Sequence, residues 1–325
     1  MHLSRCMSDT PSRGADFDII IVGAGPAGLT AALYAARYCR RTLVLHDGQS
    51  RAAEIPLTHN VPAFPSGITG PDLLERMRQH AAHYGACFAM AEVISAEVRG
   101  DGFRLTARDG RCWSAAALIV ATGVQLHKIP LDQPTHDAAV SAGVLRYCPI
   151  CDGFEHRGTR IGVVGCSASG AAEALFLKSF ASDITLLPRC DVELTVPERA
   201  QLAAAGIRIV EEPVTAYHPS ASDIVVELSG RDDRLTFDVI YPALGSTPRN
   251  ELLDALGLKL DPEGMAPAQA EMKTDIPGLY CAGDIVAGLD QISVAVGHGA
   301  LAATRAHNWL RAKACADDDP IQPDI

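Results

Sequence analysis

Cys148 and Cys151 lie three positions apart in the stretch YCPICDG, Tyr147 to Gly153. At this spacing, on a turn or the first turn of a helix, two thiols can close a small disulfide. A helix N-terminus favours the thiolate of the leading cysteine, and the thiolate is the attacking species in disulfide exchange. Asp152 follows directly and can shuttle a proton to a leaving thiolate. The competing reading is half a zinc site. Zinc needs four ligands, and no second C-x-x-C or histidine pair accompanies this one. The other eight of the ten cysteines (Cys6, Cys39, Cys87, Cys112, Cys166, Cys190, Cys281 and Cys315) are scattered. They are expected to be buried small hydrophobes.

A second chemical signal is Gly23-Ala24-Gly25-Pro26-Ala27-Gly28, a G-x-G-x-x-G turn. The first glycine permits a tight turn, the second lets backbone approach a pyrophosphate, and the third lets helix and strand pack closely. A helix N-terminus behind it presents N–H groups and partial positive charge to phosphates. Asp47, 19 residues after Gly28, stands where such folds hold ribose hydroxyls, with His46 as the alternative. The turn alone does not separate FAD from NAD.

These residues need elements to hold them. FDIIIV, Phe17 to Val22, is a short apolar run suited to a strand buried on both faces. The glycine turn, an Ala/Leu-rich helix and the strand Thr42–Leu45 complete a βαβ unit. A helix begins near GPDLLERM, and FRLTARDG with CWSAAALIV reads as hairpin material. A second βαβ unit starts at Arg160: RIGVV, the turn GCSASG, AAEALFLKSF and DITLL. Strands are expected at IRIVEE, DIVVELSG and DVIYPALG, and GLYCAGD precedes a long helix. The repeat of βαβ units predicts an α/β protein with two Rossmann-like, doubly wound domains of three layers. The discontinuous first domain spans 16–128 and 250–325. The inserted domain, 129–249, carries the cysteine pair, and residues 1–15 form a loose tail.

Of the 325 residues, 48% are hydrophobic and 21% charged, with a net charge of −11. That is the balance of a soluble globular protein. No Lys/Arg run is long enough to grip a phosphate backbone, which argues against nucleic acid. No apolar stretch reaches the roughly 20 residues a membrane helix needs. No secretory signal is apparent at the start, and a cytoplasmic location is expected.

Beyond these elements, Cys281-Ala282-Gly283-Asp284 before a helix resembles the second fingerprint of flavoproteins with two dinucleotide domains, whose aspartate bonds the ribityl chain. Ala121-Thr122-Gly123 resembles a signature of the same superfamily. Together with YCPICDG and the βαβ unit just after it, the chain resembles the low-molecular-weight thioredoxin reductases over roughly residues 17 to 312. The resemblance implies FAD, with Cys151 facing the flavin, Cys148 attacking the substrate disulfide and Asp152 as general acid. It also implies Gln291, with Ile292, near the flavin, a homodimer, and domains that rotate to expose the pair.

The chain departs from that pattern at the second nucleotide turn. The family's G-G-G-x-x-A is here Gly165-Cys166-Ser167-Ala168-Ser169-Gly170, so a side chain stands where a pyrophosphate should approach. The family's H-R-R is here Pro188-Arg189-Cys190, which removes one arginine from 2′-phosphate recognition. The family arginine before Gln291 is Asp290. Arg51 is expected to be a solvated surface charge and His298 a satisfied structural histidine. NADPH is therefore doubtful as the donor, with ferredoxin or a second flavin as alternatives. The acceptor is expected to be a thioredoxin-like protein or a small disulfide. Three other functions stay open: an oxygen-using oxidase of small dithiols, a conventional NADPH-dependent reductase of the thioredoxin-reductase kind, and a non-catalytic flavin redox sensor. The oxidases of this kind commonly carry His where Asp152 stands, which favours the reductase.

Overall fold

The computed structural model describes residues 16–267 and 272–316; the expected tail, Cys6 and the acidic C-terminal residues lie outside them. Along the chain run β1 (Phe17–Val22), α1 (Pro26–Arg37), β2 (Thr42–His46), a 3-10 turn (Arg51–Glu54), α2 (Gly70–His83), β3 (Cys87–Met90), β4 (Val93–Arg99), β5 (Gly102–Ala107), β6 (Cys112–Val120) and β7 (Val124–Leu126). Then come α3 (Gln133–Ala142), α4 (Pro149–Asp152), β8 (Arg160–Val164), α5 (Ala168–Leu177), β9 (Asp183–Leu187), α6 (Val196–Ala204), β10 (Arg208–Ile209), β11 (Val214–Pro219), β12 (Ile224–Leu228) and β13 (Leu235–Phe237). The last are β14 (Val239–Pro242), β15 (Ser246–Pro248), α7 (Glu251–Ala255), β16 (Leu279–Cys281) and α8 (Ile292–Ala316). The chain divides into two compact units. The first comprises 1–55, 68–125 and 247–325; the second comprises 56–67 and 126–246.

In the first unit β3, β2, β1, β6 and β16 lie side by side and parallel. The antiparallel strands β4 and β5 extend the sheet from the start of β6. Alternate residues of β1 serve opposite faces. Ile19 and Ile21 join the alanine-rich face of α1 and α8, while Ile20 and Val22 pack with Leu105, Leu253 and Leu279. Small residues let the two helices come close. A Cβ at Gly299 would overlap the carbonyl of Ala27, so the N-terminal ends of α1 and α8 stay in contact.

The second unit repeats the plan. The order β10, β9, β8, β14 is all parallel, and β11–β12–β13 forms an antiparallel sheet. Val163 and Leu186 pack on the α5 side, Val164 and Leu187 on the other. The expected strand IRIVEE shortens to Arg208–Ile209, because past Ile209 the backbone bends to join β11, with the Val214 N–H on the Pro188 carbonyl.

Candidate active site

The glycine turn of the first unit is built as its sequence demands. Gly23 has φ +112°, and its N–H donates to the Leu45 carbonyl at 2.8 Å. A Cβ there would strike the Ala121 carbonyl, and one at Gly28 would strike Gly23 itself. Gly25 caps α1 with extended backbone, Pro26 opens the helix, and no side chain caps it. Pro lacks an N–H where helices have no acceptor anyway, so it suits that position. The first-turn N–H groups of such a helix have no intrahelical partner and face whatever lies over the turn. Over Gly25 a Cβ would meet only Ser50 Oγ at 3.4 Å, and over Gly123 (φ +68°) it would meet nothing. These are openings through which backbone can touch a dinucleotide, so the residues fit FAD.

Around this turn the other expected residues converge. Thr122 Oγ1 donates to the Arg249 carbonyl at 2.7 Å, and the Arg249 N–H donates to the Gly123 carbonyl at 3.0 Å. Asp47 follows β2 and accepts from the Gln49 N–H at 2.8 Å, with the Arg249 guanidinium 3.6 Å away. Gly283, at φ +80°, brings its backbone against Ala27 of α1, where a Cβ would come within 2.8 Å. Asp284 is thereby carried to the same region. Gln291 accepts the Ala295 N–H on its carbonyl and Ile292 opens α8.

Arg51 corrects one expectation. It is no solvated surface charge: Nη1 sits 3.2 Å from Asp284 and 3.0 Å from Asp290, with all three side chains largely buried. Burial pushes Asp284 up to about 6, the neighbouring Asp290 charge adds to the rise, and Arg51 opposes both. The family's arginine before Gln291 is thus absent in sequence while an arginine from another element reaches that carboxylate. His298 is satisfied in part: the ring has a backbone hydrogen bond to Gly283, its Nδ1 is buried without a partner, and burial lowers its pKa while the Gly283 bond opposes the shift.

In the second unit, Cys148 and Cys151 form a disulfide, both half-buried. Cys148 is the N-cap of α4, a single turn that Pro149 starts. The Cys151 N–H bonds the Cys148 carbonyl at 2.9 Å, closing the turn that brings the sulfurs together. The same turn points Asp152 inward. Tyr241 of β14 donates its hydroxyl to Asp152 Oδ1 at 2.8 Å, and Arg146 Nε lies 3.4 Å from Oδ2, too far out of line for a hydrogen bond. Burial dominates and raises Asp152 to about 6, while Tyr241 and Arg146 pull it down. Tyr241, buried beside a carboxylate, is held above the ordinary phenol range and stays a donor. The ring of His156 stands edge-on to Tyr241 at 6.1 Å.

Cys87, Cys166 and Cys190 are disulfide-bonded, which overturns their expectation. Cys166 and Cys190 are joined to each other rather than buried as separate hydrophobes. Parallel strands β8 and β9 run side by side, so the turn after one and the loop after the other end at the same edge. Cys281 is buried as expected, whereas Cys39 and Cys112 are free and exposed. Sequence reasoning also missed Arg249, Tyr241 and Arg146. Tyr241 and Arg249 lie far along the chain from their partners, and although Arg146 stands only a few residues before Asp152, no local pattern marks any of the three. No group of three metal-ligating side chains occurs among the described residues, and no helix among them is long and apolar enough to cross a membrane.

A dinucleotide cradle in one unit and a cysteine pair beside a buried acid in the other define a disulfide oxidoreductase of the two-dinucleotide-domain class. Residues 17–299 match the pyridine nucleotide-disulphide oxidoreductase family, and the chain belongs to it. It is similar to a thioredoxin reductase of Streptomyces coelicolor, 33% identical over 320 residues that cover 94% of this chain and 97% of the relative. The thioredoxin reductase structure from Streptococcus pyogenes matches at TM-score 0.84 and 27% identity, over 91% of this chain and 98% of that one. The crystal structure of HlmI matches at TM-score 0.86 and 27% identity, over 95% and 96%. The chain is a flavin-dependent disulfide oxidoreductase of thioredoxin-reductase type.

Proposed function

We propose that this enzyme moves electrons between FAD and the Cys148–Cys151 disulfide, delivers them to a thioredoxin-like protein or a small disulfide, and does not depend on NADPH in the usual way. The observation that carries the first part is the cysteine pair followed by a buried carboxylate with its own hydrogen-bond donor. When bound, FAD supplies a two-electron store. Gly23, Gly25, Pro26, Ala27, Gly28, Asp47, Thr122, Gly123, Gly283, Asp284, Gln291 and Ile292 would hold it. In the dithiol form Cys148, at the start of the turn, attacks a substrate sulfur as thiolate, and the substrate's other sulfur leaves with the electron pair. Asp152, near 6 and so close to neutral pH, can give that sulfur a proton. Cys151 then attacks Cys148, the mixed disulfide breaks and the second substrate sulfur leaves as a thiol.

The donor reading rests on the second unit's turn. Ser167 caps α5 where the family has glycine, and its Oγ lies 3.1 Å from Ser169 Oγ. Arg189 alone remains for a 2′-phosphate, and one guanidinium loses the paired recognition that phosphates favour. A ferredoxin or a second flavin takes the donor's place in this reading, and the enzyme works as a cytoplasmic homodimer.

The test is anaerobic mixing of the purified protein with NADPH, reduced ferredoxin and a small dithiol in turn, following the flavin absorbance. Slow bleaching by NADPH and fast bleaching by ferredoxin is the expected result. Bleaching by NADPH within seconds would overturn the donor assignment, and bleaching by dithiol alone with reoxidation by oxygen would make the enzyme an oxidase. Cys148→Ser should lose at least a hundredfold in disulfide turnover and keep its flavin. Retained turnover would remove Cys148 from its role.

A further inference from the structure

The disulfide between Cys166 and Cys190 takes no part in the chemistry of Cys148 and Cys151, and its place in the second unit is specific. Cys166 lies in the turn between β8 and α5, immediately before the Ser167 N-cap. Cys190 lies just past the end of β9. Val164 and Leu187 are register partners, so both cysteines leave the sheet at its carboxyl edge, with Cα atoms 6.2 Å apart. In a doubly wound fold a dinucleotide crosses this edge, its pyrophosphate over the first turn and its adenosine ribose beyond the second strand. The disulfide therefore ties together the two elements between which a nucleotide would lie. A backbone bond reinforces the tie: the Glu193 N–H donates to the Cys166 carbonyl at 2.7 Å.

We infer that Cys166–Cys190 is a second thiol–disulfide exchange site, which closes the nucleotide crevice of this unit when oxidised and is opened by a dithiol. The Cys190 side is solvent-exposed while Cys166 is half-buried, so an incoming thiolate reaches Cys190 first. The leaving sulfur, Cys166, stands before the N-terminus of a ten-residue helix, which favours its thiolate. Arg189 precedes Cys190 in the chain, and the exposed acids Asp191 and Glu193 follow it. The exchange balances in two steps. A donor thiolate attacks Cys190 Sγ, the Cys166–Cys190 bond breaks, and its electron pair leaves on Cys166. The donor's second thiol then attacks the mixed disulfide and releases Cys190. One dithiol becomes a disulfide, one protein disulfide becomes two thiols, and the two thiol protons pass from donor to protein or to solvent. A dithiol is also the product that the proposed reductase activity makes, so the inference rests on that reading for its donor in the cell, but not for its chemistry.

The test uses NADP+, which can occupy the crevice without giving a hydride. Its affinity for the full flavin-loaded protein is measured by calorimetry in three states: air-oxidised, reduced with dithiothreitol and desalted anaerobically, and as the double variant Cys166→Ser/Cys190→Ser. The reduced protein and the double variant should bind at least tenfold more tightly than the oxidised protein. The double variant should be indifferent to dithiothreitol although its Cys148–Cys151 pair is still reduced. Equal affinity in all three states, no binding in any of them, or free thiols at Cys166 and Cys190 in a peptide map of the oxidised protein would each overturn the inference. Flavin bleaching is a separate readout. If NADPH still bleaches slowly once the crevice is open, both readings stand. If bleaching becomes fast only then, the donor assignment fails and the latch remains.

Discussion

Asp152, the proposed proton donor, shows how far burial alone moves one group. Its carboxyl would ionise below 4 in water, and burial moves it to about 6. The Tyr241 hydroxyl is the strongest influence in the other direction. Tyr241→Phe removes a donor to the charged form, a bond worth on the order of 1 kcal/mol. The apparent pKa in the pH–rate profile of disulfide reduction should then rise by about 0.5 to 1 unit. An unchanged profile would take Asp152 out of the rate. The same shift bears on stability. A carboxylate with a raised folded pKa binds its proton more tightly in the native state, so its stabilising effect is complete below the unfolded pKa and is lost as pH climbs through about 6. Asp152→Asn keeps an acceptor for Tyr241 but does not titrate. Relative to that variant, the wild type should lose up to about 3 kcal/mol of stability between pH 4 and pH 8, measurable by urea unfolding at each pH. A gap that does not vary with pH would mean that water reaches the carboxylate.

At the scale of elements, the proposed flavin cradle depends on how closely α1 and α8 approach. Gly299 lies at their contact, where an added methyl would strike the Ala27 carbonyl, whereas a methyl at Gly297 on the same helix would meet nothing. Gly299→Ala should therefore cost about 1–3 kcal/mol by overpacking and weaken flavin retention, because Gly283 and Asp284 reach α1 through the same contact. Gly297→Ala should stabilise the apoprotein by about 0.5–1 kcal/mol, through helix propensity alone. Chemical denaturation of the two variants and flavin release on dilution decide it; equal behaviour would mean the helices can slide apart. The contrast also marks what the sequence discloses. Phe17–Val22, the glycine turn and α1 were legible because each is a local pattern: an apolar run, fixed glycine spacing, an alanine-rich helix. Arg51 was not. Its partners Asp284 and Asp290 are more than two hundred residues away and meet it only because β16 and α8 return to the first strand's neighbourhood. Cys166 and Cys190 were hidden for the same reason, since only the parallel pairing of β8 with β9 makes neighbours of them.

The chain builds two units on one plan. The first unit is made of three stretches of chain and the second is nearly continuous. The first unit cannot be complete until its last stretch, 247–325, has arrived, because β16 closes the sheet beside β6 and α8 covers α1. All the residues proposed to hold FAD lie in that unit. Ligand that binds only the folded form stabilises by mass action, about 2.7 kcal/mol at a hundred times Kd. For a unit of this size that is a shift in Tm of roughly 5–10 °C. Calorimetry of the flavin-loaded protein against protein stripped of flavin should therefore show two transitions, of which only the first unit's moves down. The second unit, held by its own core of Ile161, Val163, Leu186 and Tyr241, should melt at the same temperature in both. If the two transitions move together, the units unfold as one cooperative body and flavin supports the cysteine pair's surroundings as well as its own cradle. A fixed second transition would instead mean that the acid and the disulfide keep their geometry whether or not flavin is bound, so that loss of activity on stripping reports the missing electrons alone.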